Sequence, residues 1–263
     1  MGNDGYGDLQ VDLLGSWQLR RDRDLVHVAA RQQRLIAVLA IRGPSLRSYL
    51  VGLLWPEYPE TRALESLRVS VHLVSRQVPG LLVKDGNVLS LSEEVHVDLH
   101  RVRAQIRDLD RIRPNGKFAP WLYDLRGAEL LPGWYEDWVL FEQIRLRQDR
   151  LHAFTLISRE SLNRCDYEAA VEAAEAAVEI EPLYETAVGL YIQAEMHQGN
   201  TASALLAFER YQRQLRQDMG IEPSETLRRL VADVHGGRTH TANERLVLAG
   251  PAWLGRQPLP HNP

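Results

Sequence analysis

Cysteine is nearly absent: of 263 residues, only Cys165 carries a thiol. No disulfide can form within the chain, so its core must hold it together, as in proteins of a reducing compartment. A lone thiol between Arg164 and Asp166 is expected on a helix surface or in packing rather than in chemistry. Long apolar runs are lacking as well. None reaches the roughly 18 residues that a membrane helix needs, and the start MGNDGYGD has no basic segment leading into an apolar one. Neither a membrane span nor a signal peptide is expected, and the expected location is cytoplasmic. Met1-Gly2-Asn3 superficially matches an acylation start, but Tyr6 stands where Ser or Thr is needed.

An excess of positive charge is missing too. The net charge is -4, which excludes a non-specific nucleic-acid coat and leaves DNA contact to a local patch. From Leu9 to His100 there are 11 positive and 10 negative side chains, and from Arg101 to His235 there are 17 and 22. The first stretch is near neutral and the second is acidic. The chain also has no Gly-rich phosphate loop, no metal-spaced cluster and no nucleophile in a recognisable setting. His152, His197 and His235 lack acid or cysteine neighbours at useful spacing. An enzyme is not expected, nor a metal or cofactor.

What is present is amphipathic pattern. Hydrophobic residues make up 44% of the chain, enough for two modest cores. In RALESLRVSVHLVSRQV, Leu64, Leu67, Val71, Val74 and Val78 follow steps of three and four, which predicts a helix over 62–78 with one apolar stripe. Glu65, Arg68, His72, Ser75 and Arg76 fall on the other side, and Arg68, His72 and Arg76 are spaced by four. Two short apolar runs then flank Asp85-Gly86-Asn87, a hairpin signal.

Ahead of this helix, LQVDLLGSWQLRRD reads as two strands around Gly15-Ser16, and DLVHVA as a third. Leu35, Ile36, Val38, Leu39 and Ile41 predict a helix that Gly43-Pro44 stops. Ser45 or Ser48 is expected to cap a short helix ending before Pro56, with Trp55 as a core anchor, and 57–61 reads as a loop. Val95 and Val97 read as a last strand. Strands, two helices, a long helix and a hairpin make a winged helix. Its long helix fits a major groove about 12 Å wide. The DNA-facing candidates are Arg68, His72 and Arg76, with Arg62 nearer the helix start; Lys84 in the wing and Arg47 before the second helix are phosphate candidates. The ten acidic residues here suggest low affinity from one copy, so that a dimer or a helper protein is needed.

The second half reads as helical. A helix is expected over 101–113, then a connecting stretch over RPNGKFAPWLYDLRGAEL. A long helix is expected to follow Pro132-Gly133 and run to Asn163, with Leu140, Ile144, Leu146, Leu151 and Leu156 packing inward. A repeat follows at an offset of 34: Asp166 matches Asn200, Ala170 matches Ala204, and Ala174 matches Phe208. That period with small residues at the crossing marks a tetratricopeptide repeat. Helices over 183–197, 202–219 and 225–235 complete it, with Gly236-Gly237 as a stop. GPAWLGRQPLPHNP reads as a Pro-rich linker.

These stretches together resemble a known family. VDLLGSWQLRRD, ARQQRLIAVLAI, LVGLLWP, ALESLRVSVHLVSRQVPG, LLPGWYEDWVLFEQIRLRQ and LLAFERYQRQLRQDMGIEPSETLRRL are similar to the actinobacterial antibiotic-regulator (SARP/AfsR-like) transcription factors. The GIEPS-like end of the last helix pair is the most specific. The resemblance implies an α+β winged helix of the OmpR/PhoB-like kind at 9–100. It implies an all-α, tetratricopeptide-like bacterial transcriptional activator domain at 101–236, leaving 237–263 as a linker or tail. It also implies binding to double-stranded promoter DNA, often at direct repeats, usually as a homodimer, with recruitment of RNA polymerase. It further implies a small-molecule or C-terminal-domain effector, because larger relatives continue into a nucleotide-binding signalling domain. On this mapping 62–78 is the recognition helix and 81–91 the wing. Family helices are commonly arginine-rich near the end, whereas here Val74 and Gln77 stand where basic residues are common. A second reading therefore stays open: a protein-interaction or ligand-sensing module with a degenerate winged helix, the N-terminal part of a larger signalling ATPase.

Overall fold

The computed structural model describes residues 7–109 and 119–235. The chain divides into two compact units, one up to Ile157 and one from Ser158 onward. Among the described residues, no helix is long and apolar enough to cross a membrane.

The first unit opens with strands β1 (Leu9–Asp12), β2 (Gln18–Arg21) and β3 (Asp24–Leu25). Leu9 and Val11 point into the core while Gln10 and Asp12 are part-exposed, the alternation of a sheet with one wet face. Helix α1 (Ala30–Arg42) has an unbroken buried run from Leu35 to Ile41. A helix apolar on all sides has to be central, and the next two helices and the second strand of the hairpin described below pack against it. Gly43 ends it at φ 78, a conformation that a side chain resists, and its N–H reaches the Leu39 carbonyl.

Two-residue strand β4 (Ser45–Leu46) follows and leads directly into α2 (Arg47–Leu54). Here the structure departs from the expected serine cap. Leu46 occupies the N-cap position, Ser45 Oγ donates to the Gly43 carbonyl at 3.0 Å, and Ser48 lies inside the helix. The Arg47 amide at the start of α2 is satisfied by the Asn87 carbonyl at 2.9 Å. A backbone acceptor thus takes the place of the cap.

Trp55 is buried after α2, as expected. Helix α3 (Glu60–Gln77) begins two residues earlier than its apolar stripe suggests, so Glu60 and Thr61 are helical rather than loop. Strands β5 (Leu82–Asp85) and β6 (Val88–Leu91) form the expected hairpin around Gly86 and Asn87, with Gly86 at φ 53. β6 also pairs with β4, giving a three-stranded wing in the order β4-β6-β5. Strand β7 (His96–Val97) then returns to run parallel to β1 and completes a sheet in the order β3-β2-β1-β7. Val95 is buried but lies just outside that strand.

Helix α4 (Asp98–Leu109) starts three residues before the expected Arg101, and the expected end at Arg113 lies outside the described residues. The Asp98 carboxylate explains the early start. It accepts from its neighbour Leu99 N at 2.7 Å, from Leu13 N at 2.9 Å and from Leu14 N at 2.9 Å. One side chain thereby satisfies a free amide in the first turn of α4 and closes the end of β1.

The stretch expected to be a plain connection contains α5 (Ala119–Arg126), held by buried Leu122 and Leu125. Arg150 donates to the carbonyls of Leu125 at 2.7 Å and Arg126 at 2.6 Å, satisfying the end of α5. A short backbone bridge pairs Leu14 with Leu130, and Leu131 N donates to the Leu13 carbonyl at 2.8 Å. The first sheet is thus joined by hydrogen bonds to the chain ahead of α6 (Asp137–Asn163). On α6, Leu146 is buried and Leu151 and Leu156 are part-buried, but Leu140 and Ile144 are 37% and 55% exposed. Trp138, Val139, Phe154 and Ile157 are its main core residues in this unit.

The second unit contains the last turns of α6, α7 (Tyr167–Ile180), α8 (Glu185–His197), α9 (Thr201–Met219) and α10 (Glu225–His235). Asp166 and Asn200 are the N-cap residues of α7 and α9, and Ala170 and Ala204 are fully buried at equivalent depth. The 34-residue offset is therefore a structural repeat. Cys165 is exposed, as a surface role requires, but sits in the turn before α7 at φ 58 rather than on a helix.

The GIEPS motif has a physical basis. Gly220 ends α9 in the left-handed conformation at φ 69. Glu222 returns to α9, meeting Arg216 Nε at 2.8 Å and Gln212 at 3.0 Å, and these partners hold its carboxyl below the usual range. Ser224 Oγ accepts from Leu227 N at 3.2 Å and so caps α10. The Ser224 amide donates to Glu185 at 3.0 Å, and Tyr211 donates to the same oxygen at 3.1 Å. Burial, then the Glu185 charge, push the Tyr211 hydroxyl up. The motif fastens α10 to α8 and α9 over a core of Val188, Ile192, Tyr211, Leu215, Leu227 and Val231. The expected Gly236-Gly237 stop and the Pro-rich stretch lie outside the described residues.

Candidate nucleic-acid interface

The candidate site is the solvent face of α3 with the hairpin that follows it. Leu67, Val71 and Val74 hold the helix against the core, together with Ala63 and Ser70. Leu64, read as part of the apolar stripe, is only part-buried. At about 100° per residue this leaves one continuous outer face. Arg62, Glu65, Arg68, His72 and Arg76 are all exposed on it, as the spacing predicts, and Ser75 is part-buried at its edge.

These side chains are not equivalent. Arg62 is placed by Tyr58, with its guanidinium carbon 4.5 Å from the ring centre. Arg76 lies in the last turn of α3, where a cation offsets the helix dipole. Gln77 is turned away from the outer face: its amide donates to the His27 carbonyl at 2.5 Å. It thereby ties the end of α3 to the segment before α1.

Arg68 stands at the edge nearest the wing. Together with Arg47, Ser48, Leu46, Leu64 and Asn87 it lines a groove of about 450 Å³. The structure therefore brings Arg47 and Arg68 to one place, through the Arg47 amide bond to the wing turn. Lys84 is exposed on β5. Of the two candidate phosphate residues, Arg47 on α2 shares the groove with Arg68, and Lys84 is carried on the hairpin.

Two residues on the same face escaped the charge pattern. Val69 is 52% exposed and Leu73 is 41% exposed. The signal was available, because both are apolar yet fall off the stripe of threes and fours. Asn87 was read only as a turn residue, and its carbonyl also fixes the start of α2. Among the described residues, no group of three or more His, Cys, Asp or Glu is arranged to hold a metal.

Comparison with known proteins agrees with this architecture. The chain is 26% identical over 237 residues to the regulatory protein AfsR of Streptomyces coelicolor, covering 85% of this chain and 24% of that protein. It thus spans about a quarter of that relative's length. Its fold matches Mycobacterium tuberculosis EmbR, solved in complex with a low affinity phosphopeptide, with a TM-score of 0.68 at 22% identity. That match covers 89% of this chain and 66% of the other. The sequence profile of the bacterial transcriptional activator domain matches residues 97–235, from β7 to the end of α10. That match takes in more than half of the chain, which belongs to the bacterial transcriptional activator domain family.

Proposed function

We propose that the chain is a sequence-specific DNA-binding transcriptional regulator, an activator, that works by positioning rather than by chemistry. The observation that carries this reading is the outer face of α3. Arg68, His72 and Arg76 stand exposed there, with Arg47 on α2 and Lys84 on the hairpin. Arginine pairs two ways with guanine in the major groove, while cations on α2 and in the hairpin are suited to phosphates. The net charge of -4 fits a protein that selects its site rather than coating DNA. The helical repeats serve protein contact: a second copy, RNA polymerase or an effector. Membership of the activator domain family and the likeness to AfsR support this reading.

The test is selection of bound fragments from the source genome by the full chain. Enrichment of one repeated site, lost in R68A/R76A, is the expected result. No enrichment at low salt from folded protein would overturn the reading in favour of a module that binds proteins or ligands.

A further inference from the structure

We infer that Val69 and Leu73 are specificity residues that read thymine methyl groups, an inference that rests on the DNA-binding reading above. Val69 is two residues from Leu67, about 200° around the helix, and therefore lies almost opposite the buried stripe. It is the centre of the outer face. Leu73 is one turn further on, next to it at the i,i+4 spacing.

A single exposed apolar residue needs no explanation. Two in a row at the centre of an otherwise charged face do, and valine is a poor choice for an exposed helix position on propensity alone. The face around them carries three cations, Arg62, Arg68 and Arg76, with His72 as a hydrogen-bonding group and Glu65 as an acid, a net positive surround that complements the phosphates of a duplex. The floor of the major groove offers one apolar feature, the C5-methyl of thymine. Four residues of helix rise about 6 Å, close to two base-pair steps of about 3.4 Å. The operator should therefore contain two thymines about two steps apart, beside the bases that Arg68 meets.

The experiment uses the full chain and its selected operator, with each thymine replaced in turn by uracil. This removes a methyl group and leaves the hydrogen-bonding edge intact. At two positions the loss should be about three- to fivefold in affinity, the worth of one buried methyl. V69A should abolish the penalty at one position and L73A at the other. Both variants should melt like the parent, since both side chains are exposed, while R68A should weaken thymine and uracil duplexes alike. Neutral uracil substitution throughout an operator that is still selected would overturn the inference and spare the regulator. Penalties that persist unchanged in V69A and L73A would overturn it as well. Failure to select any operator would defeat the regulator reading itself, and this inference with it.

Discussion

Arg103 of α4 donates to Glu142 of α6 at 2.6 Å, and that carboxylate is only 5% exposed. Arg42, the last residue of α1, meets its other oxygen at 3.1 Å. Arg103 also donates to the Ile41 carbonyl at 2.9 Å. One buried acid thus joins the central helix of the winged-helix region to two helices of the activator domain match. Arg34 and Glu136, 3.0 Å apart, add a second link. E142A leaves two arginines facing each other, and both are part-exposed, so the cost should be about 2–4 kcal/mol rather than the full penalty of a broken buried pair. Five of the six tryptophans, Trp17, Trp55, Trp121, Trp134 and Trp138, lie in the first unit, and Trp253 lies outside the described residues, so the change in tryptophan fluorescence on denaturation that W253F retains reports on the first unit. A loss below about 0.5 kcal/mol would mean that water already serves these groups.

Asp98 sets a pH dependence. Burial pushes its carboxyl above the ordinary 3.8, while hydrogen bonds from Leu13, Leu14 and Leu99 pull it back. A folded-state value above the unfolded one means that the group contributes most below the unfolded value. That contribution is lost as pH rises through the folded value. D98N keeps an acceptor but cannot ionise. Its stability cost relative to the parent should therefore shrink as pH is raised from about 3 to 7. Unfolding curves across that range check it, and a cost that grows with pH would reverse the assignment. D98A should be worse throughout, because it orphans the Leu13 and Leu14 amides, at about 1–3 kcal/mol.

The GIEPS turn makes a local prediction in the second unit. S224A removes the cap of α10 and should cost about 1 kcal/mol. E185A removes the acceptor shared by Tyr211 and the Ser224 amide and should cost more, about 1–3 kcal/mol. Helical circular dichroism during thermal unfolding measures both. Equal effects from the two variants would show that Glu185 matters only through the cap.

How far the fold was legible follows from what leaves a trace in side chains. The α3 stripe, apart from the part-buried Leu64, the hairpin and the repeat pairing Asp166 with Asn200 are written in residue spacing. Strand β4 has two residues, too few for a period, so the sequence offers Ser45 or Ser48 as a cap where the structure has a strand leading into the helix. The bridge between Leu14 and Leu130 uses backbone groups, which every residue carries alike. Helix α6 is apolar on more than one side, so its spacing does not single out the buried face: Val139 and Leu146 are buried while Phe141 and Ile144 are exposed. At the candidate interface, polar spacing marks Arg68, His72 and Arg76, whereas Val69 and Leu73 are apolar like core residues and only the fold distinguishes them by their exposure.

Lys84 and Arg47 separate positioning from reading. If they meet phosphates, K84A and R47A should each weaken binding to operator and unrelated duplex by a similar factor. Each should also reduce the slope of log affinity against log salt by about 1. Binding titrations on both duplexes decide this. A loss confined to the operator would make either residue a base reader.

The most direct test of the central claim is the affinity of the full chain for its selected operator at several salt concentrations, compared with R68A/R76A. A steep fall with salt in the parent is expected, together with loss of preference for operator over unrelated duplex in the variant. Operator affinity that ignores salt and survives R68A/R76A unchanged would place the reading surface somewhere other than the outer face of α3.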